Sequence, residues 1–146
     1  MFRKPIAAIA AALALGLMAT TVPLTAVAQC ARISTLDVAP RNQKLFPAVL
    51  IAVDGQHPGP SGHTFRIEPG RHELTVAEAI DSDRFSDLHL VQRARNNKRY
   101  KTLSFDAQPG VTYLLAVRFF EDKRGEILSG GYWEPVIWRE KPESCR

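Results

Sequence analysis

The chain has 146 residues, with 19 lysines and arginines against 15 acids, which gives a formal charge of +4 at pH 7. This length suits one domain with a single core and is too short for two. A hydrophobic fraction of 45% and an aromatic fraction of 8% exclude an intrinsically disordered chain.

Residues 1–28 have the composition of a secretory signal peptide. Arg3 and Lys4 form a positively charged start, an uncharged Ala- and Leu-rich stretch follows, and a small-x-small pattern ends at Ala28. We predict cleavage after Ala28, so that residues 29–146 form the single mature domain. An uncleaved membrane anchor is the alternative, but prolines and a glycine interrupt the stretch and most of its apolar residues are alanines.

Export changes the charge balance and the set of available partners. The 118 residues that follow the signal peptide carry 17 basic and 15 acidic side chains, a net charge of +2. No other segment has the length and hydrophobicity of a membrane span. We therefore predict a periplasmic or outer-membrane-associated protein without a transmembrane span in its mature form. This location excludes cytosolic nucleic acid as a partner.

Two cysteines, Cys30 and Cys145, lie at the two ends of the mature domain. An exported chain matures in an oxidising compartment, so we predict a disulfide between them. An intermolecular disulfide and two free thiols are the alternatives. A lipid anchor on Cys30 is disfavoured because Gln29 occupies the position at which lipoproteins carry a small residue.

Alternating apolar and polar residues predict a series of β-strands. Two pairs of predicted strands are joined by Pro69-Gly70 and Pro109-Gly110, a dipeptide that favours a hairpin-like turn. Pro135 falls inside the last strand, which suits an edge or a bulge. The predicted strands cover residues 48–53, 64–67, 71–76, 102–105, 111–119 and 132–138.

Residues 81–98 fit two structures. Phe85, Leu88 and Val91 recur every three residues, as on one face of a short helix around residues 82–95. Alternation around Leu88 instead favours a strand or an irregular crossover, which we prefer. The whole pattern predicts a mainly β fold, an antiparallel β-sandwich with room for that one short helix.

One segment resembles a known family. Similarity to the PEGA-type repeat of bacterial envelope proteins lies in residues 67–76, IEPGRHELTV, which follow a Val-Asp-Gly turn at residues 53–55. The second half, with its terminal YWEPVIW at residues 132–138, is similar to small uncharacterised exported proteins of proteobacteria. The resemblance implies an immunoglobulin-like or transthyretin-like sandwich in the envelope, and it implies no catalytic residue.

Histidines are the first candidates for chemistry. His57, His63 and His72 lie beside or after a Pro/Gly-rich loop, but their spacing is not that of a structural zinc site. We predict no metal, no cofactor and no catalytic residue. One alternative is a periplasmic hydrolase or metal-dependent enzyme that uses His57, His63 and Glu68. Another is an inhibitor of hydrolases that acts through loop 54–62.

A basic cluster is the strongest charge feature. Five cations fall within nine residues with no acid between them: Arg93, Arg95, Lys98, Arg99 and Lys101. In the envelope, such a cluster suits an acidic protein surface, an anionic polymer or lipid head groups. The competing interpretation is a solvated loop or hairpin whose charges guard an edge strand against pairing.

The last strand carries large apolar residues on both faces. Trp133 and Ile137 share one face, and Val136 and Trp138 share the other. Either another part of the chain or a partner covers the second face. An exposed Trp133 would offer a stacking surface for a sugar ring, whereas a bulge at Pro135 would turn both indoles inward, which we prefer.

These observations predict a non-enzymatic binding or scaffolding module of the cell envelope. Its partner would be an envelope protein or an anionic envelope polymer or lipid head group. The basic cluster and Trp133 are the predicted contact residues.

Overall fold

The computed structural model describes residues 30–60, 62–97 and 99–142. The signal peptide, Lys98 and Cys145 lie outside these residues, so cleavage after Ala28 and the disulfide stay predictions. The strands are β1 (Ala31–Ser34), β2 (Leu45–Val53), β3 (Thr64–Ile67), β4 (Gly70–Glu78), β5 (Tyr100–Ala107), β6 (Val111–Phe119) and β7 (Trp133–Pro142). The helix is α1 (Asp87–Arg95), and short 3₁₀ turns cover Arg41–Gln43, Ser82–Arg84 and Glu121–Glu126.

The mainly β fold is confirmed, and its strands form one continuous mixed sheet. The order is β3-β1-β6-β2-β4-β5, and β7 pairs with β6. Every strand pair is antiparallel except β1 with β6, which is parallel. The predicted antiparallel arrangement therefore fails at this one pair, because β1 is a short strand that the sequence pattern does not reveal.

Strand β2 joins two halves of the sheet. Its first residues, Leu45 to Pro47, pair with β6, and the rest, from Ala48 to Val53, pair with β4. The half formed by β2, β4 and β5 packs over the half formed by β1, β3, β6 and β7, with one main apolar cluster between them. This arrangement is consistent with a sandwich, although the two layers share a strand.

The two Pro-Gly dipeptides are not hairpin turns, contrary to the prediction. Strand β3 pairs with β1, whereas β4 pairs with β2 and β5, so Pro69-Gly70 leads from one layer to the other. Pro109-Gly110 likewise leads from β5 back to β6. The apolar side chains that flank Pro109-Gly110 meet across the core: the rings of Phe105 and Tyr113 have centroids 4.8 Å apart. Gly70 and Gly110 supply the positive φ angles of 129° and 72° that these turns need.

Both faces of β7 are covered by the chain itself. Trp133 is 1% exposed in the main core, so an exposed stacking surface at Trp133 is wrong. On the other face, Val136 and Trp138 pack against Ala39, Leu45 and Ala116, which form a small second cluster. The register of β7 shifts next to Trp138 and not at Pro135, because Leu114 pairs with Arg139 and Leu115 with Ile137.

Helix α1 occupies the segment for which a strand or crossover was preferred, so that preference is wrong and the short helix is confirmed. Ser86 is its N-cap, and the Ser86 Oγ accepts a hydrogen bond from the backbone N–H of His89 at 3.4 Å. Leu88 and Val91 are exposed, whereas Leu90 packs against the core. The three-residue recurrence therefore indicated a helix correctly, but it indicated the wrong face of that helix as the one that packs against the core.

Candidate functional site

A cavity of about 570 Å³ lies between α1 and the strands β2, β4 and β5. We call it the α1 groove. Its strand side carries Val49, Ile51, Ala77 and Tyr100, and its helix side carries Leu90 and Ala94. Its polar groups come from Glu78, Arg93, Asn96, Arg99 and Tyr132. The groove thus combines an apolar wall with a small number of charged and polar side chains, as ligand sites do.

The apolar wall is built by strand register. Val49 on β2 pairs with Ala77 on β4, and Ala77 pairs with Tyr100 on β5, so the three side chains form one row across the sheet. Their neighbours Leu50 and Val76 point into the core. Val49 is 47% exposed and Tyr100 is 58% exposed, so the row presents apolar surface to solvent.

A largely buried ion pair forms one end of the groove. The Arg93 guanidinium donates from Nε and Nη2 to the two carboxylate oxygens of Glu78 at 2.6 and 2.5 Å. Tyr132 donates its hydroxyl hydrogen to Glu78 Oε1 at 2.9 Å, and the Ile80 backbone N–H donates to Oε2 at 2.8 Å. Burial opposes the charge of Arg93, but the hydrogen bonds and charge of Glu78 outweigh it and raise the pKa of Arg93. Burial and the charge of Glu78 also raise the pKa of Tyr132.

Arg99 is held at the mouth of the groove by the end of α1. Its Nη2 donates to the Ala94 carbonyl at 2.7 Å, and its Nε donates to the Asn96 carbonyl at 3.2 Å. These bonds satisfy carbonyls at the helix C-terminus and fix the direction of the guanidinium. The sequence gives no sign of this role, because it depends on where α1 ends.

The structure divides the predicted basic cluster. Arg93 is paired with Glu78, and Arg99 caps α1, so both point their guanidiniums at the chain. Lys101 donates its ammonium hydrogen to the Trp133 carbonyl and lies 5.0 Å above the Trp133 ring. Burial lowers the pKa of Lys101. Arg95 is exposed at the end of α1, and Lys98 lies outside the described residues.

Lys101 also marks the edge of the sheet. Strand β5 pairs with β4 alone among the strands that the structure describes, and Lys101 points inward from it. An inward-pointing charge on an edge strand opposes pairing with another chain. This position agrees with the competing interpretation of the basic cluster as an edge guard.

His72 belongs to a second group of polar residues at the root of loop 54–62. Its Nδ1 lies 2.7 Å from Asp54 Oδ2, and its Nε2 lies 2.7 Å from the Glu68 carbonyl oxygen. Asp54 Oδ1 also accepts from the backbone N–H of Glu73 at 2.8 Å. Since both imidazole nitrogens are occupied, this Asp–His pair has no ring nitrogen available to act as a general base.

The residues of the enzyme alternative are separated. His63 Nδ1 lies 3.3 Å from the Thr35 hydroxyl, whereas His57 lines a smaller cavity of about 330 Å³ beside His72. Within residues 30–60, 62–97 and 99–142, no three His, Cys, Asp or Glu side chains form a group that could hold a metal ion. His57, His63 and Glu68 therefore do not make a common ligand set.

No protein-family model, curated protein or solved structure matches the chain. The resemblance to the PEGA-type repeat accordingly stays a prediction. In the described part of the chain, no helix has both the length and the apolar character needed to cross a bilayer.

The groove contains residues that the sequence did not single out. Val49, Glu78 and Tyr100 come from three different strands, and only their pairing brings them together. Val49 lies in a continuous apolar run, which predicts a buried strand. The exposure of Val49 could therefore not be predicted from the sequence. The sequence offered one sign of the groove, the aromatic residue Tyr100 at the start of β5, which stands between Arg99 and Lys101 of the basic cluster.

Proposed function

We propose that this protein is a non-enzymatic binding module of the bacterial cell envelope and that the α1 groove is its binding surface. The observation that carries the proposal is the row of Val49, Ala77 and Tyr100, which exposes apolar side chains beside two oriented guanidiniums. Exposed apolar surface of this kind, bordered by fixed polar groups, is typical of a binding site.

The location in the envelope is supported by the signal-like composition of residues 1–28. A cleaved signal peptide would deliver the domain to the periplasm or to the periphery of the outer membrane. The proposed partner there is an envelope component, and the cationic side of the groove favours one that carries negative charge.

Binding is favoured over catalysis because the strongest acid–base candidates are already occupied. The Glu78 carboxylate accepts four hydrogen bonds from the protein, from Arg93, Tyr132 and Ile80. The imidazole of His72 is bonded at both nitrogens. A general base needs an available lone pair within reach of its substrate, and neither group offers one in this arrangement.

The proposal is tested by photo-cross-linking in intact cells. A photoreactive amino acid is placed at position 100 in the groove, and in a control at position 38, since Val38 is also apolar and is 82% exposed outside the groove. We expect the protein in the periplasmic or outer-membrane fraction and an adduct at position 100 that is absent at position 38. Retention in the cytoplasm, or identical adducts at both positions, would contradict the proposal.

A further inference from the structure

The two guanidinium groups that line the groove indicate the chemistry of its ligand. We infer that the α1 groove binds a small apolar carboxylate, a free acid with an aliphatic or aromatic body and one anionic head. This inference rests on the proposed function and names the ligand class of the same site.

The donors of the two arginines favour an anionic head group on the ligand. An arginine has five N–H donors. Arg93 uses Nε and Nη2 on Glu78 and on the Ile80 carbonyl, and Arg99 uses Nε and Nη2 on two backbone carbonyls. The Arg93 guanidinium also interacts with the Tyr132 hydroxyl, whereas among the described residues the Nη1 group of Arg99 has no acceptor. A carboxylate can accept from such a group with charge assistance.

Among the described residues, the groove offers no free acidic group for a cationic ligand. Glu78 is the acid that lines the groove, and its two oxygens already accept four hydrogen bonds. Because Arg93 neutralises Glu78, the charge of Arg99 gives the groove a net positive character. The electrostatic preference is therefore for an anion.

The apolar row limits the size of the ligand's apolar body. Val49, Ala77 and Tyr100 lie on three adjacent strands. Strands are about 4.8 Å apart, so the row is roughly 10 Å wide. This width and the volume of about 570 Å³ suit a small molecule. A stable protein partner would need about 800 Å² on each side, and a membrane surface would extend far beyond three side chains.

The test compares three soluble probes with the same eight-carbon body. Octanoate, octan-1-ol and octylammonium are titrated separately into the mature full domain, and the amide shifts of Ala77, Asn96 and Tyr100 are followed by NMR. We expect octanoate to bind with a dissociation constant on the order of 1 mM, at least tenfold more tightly than octylammonium. Equal affinity for octanoate and octylammonium would overturn the inference.

Variants locate the head group. Arg99→Gln removes the charge but keeps amide donors for the helix carbonyls, and we expect it to weaken octanoate binding about tenfold. Arg71→Gln is the matched control, because Arg71 is exposed on β4 outside the groove. A second variant, Val49→Asp, places a negative charge on the exposed row and should abolish octanoate binding. Equal binding by Arg99→Gln and Arg71→Gln would overturn the assignment of the head group.

Two further probes separate the other sources of negative charge. Vesicles containing phosphatidylglycerol and an acidic Asp/Leu peptide are titrated under the same conditions. If either moves the groove amides while octanoate does not, the small-acid inference is wrong and the binding function stands. If none of the probes moves them and no adduct forms at position 100 in cells, both the ligand class and the proposed function are wrong.

Discussion

The imidazole of His72 and the carboxylate of Asp54 form a charged pair that fastens the root of loop 54–62. Nδ1 of His72 is 2.7 Å from Asp54, and Nε2 is 2.7 Å from the Glu68 carbonyl. Both neighbours are oxygen acceptors, so both bonds form only when both nitrogens carry hydrogen. Burial of the ring opposes this charge, but the hydrogen bonds to Asp54 and Glu68 outweigh it and raise the pKa of His72. The hydrogen bonds from Glu73 and His72 lower the pKa of Asp54.

The pair gives stability a defined pH dependence. His72 contributes fully below its ordinary pKa of 6.5, and its contribution is lost as the pH rises through its raised folded-state pKa. Asp54 contributes above its ordinary pKa of 3.8, and its contribution is lost as the pH falls through its lowered pKa. We expect His72→Gln to destabilise the fold by about 1 kcal/mol near pH 6, and by less near pH 9.

Thermal unfolding followed by circular dichroism measures this difference. His57→Gln is the control, since His57 is an exposed histidine of the same loop. A gap between wild type and His72→Gln that stays constant from pH 6 to pH 9 would contradict the charged pair.

The Glu78–Arg93 pair should contribute strongly to folding. The Glu78 side chain is 9% exposed, and its loss of charge leaves a largely buried guanidinium without its counterion. We expect Glu78→Gln to lower the free energy of unfolding by about 2–3 kcal/mol. The matched variant Glu134→Gln breaks the exposed pair with Arg118 and should cost at most about 0.5 kcal/mol. Urea unfolding measures the free energy of unfolding of both variants. Equal decreases in the two variants would show that burial does not increase the contribution of the Glu78–Arg93 pair to stability.

Asn96 joins the end of α1 to the rest of the core. Its Nδ2 donates to the Ile127 carbonyl at 2.9 Å in a buried setting. We expect Asn96→Ala to cost about 1–2 kcal/mol, because the carbonyl loses its donor away from water. The neighbouring Asn97 is exposed, so Asn97→Ala should change stability by less than about 0.5 kcal/mol. Chemical denaturation measures the stability of both variants. An Asn96→Ala variant as stable as the wild type would disprove the role of this hydrogen bond.

The predicted disulfide is compatible with the strand register. Cys30 precedes Ala31, which pairs with Val111, and Val111 pairs on its other side with Pro142. The two flanking strands are therefore about 10 Å apart at this end, and the three residues from Pro142 to Cys145 can span about that distance. We expect Cys145→Ser to lower stability by about 4 kcal/mol.

Mass spectrometry of unreduced peptides checks the linkage directly. A Cys30–Cys145 peptide pair in monomeric protein is expected. Two titratable thiols in periplasmic protein, or a dimer on a non-reducing gel, would favour one of the two alternatives.

Local patterns predicted the strands well and the connections poorly. The alternation at residues 64–67 and 111–119 appears in β3 and β6. A Pro-Gly dipeptide gives the chain reversal but does not say whether the next strand returns to the same layer. That choice is made by core packing, as with Phe105 and Tyr113. Strand β1 is as short as β3, with four residues, but it lacks the Pro-Gly turn that marks the end of β3, so its alternation alone did not identify it.

Part of the candidate site could be predicted from the sequence. The basic cluster pointed to the correct region, since Arg93 and Arg99 both line the groove. Its pattern could not reveal that Glu78 would neutralise Arg93, because 15 residues separate them and their contact depends on how α1 packs. Strand alternation leaves apolar residues on both faces of the last strand and cannot decide whether Trp133 is exposed; the second layer buries it, as the preferred inward orientation expects.

The claim that the α1 groove is a binding surface is tested most directly by blocking it in cells. The photoreactive residue at position 100 is combined either with Val49→Asp, in the groove, or with Val38→Asp, on exposed apolar surface elsewhere. We predict that the envelope adduct disappears with Val49→Asp and persists with Val38→Asp, at equal levels of folded, exported protein. An adduct of the same yield in both variants would contradict the binding role of the groove.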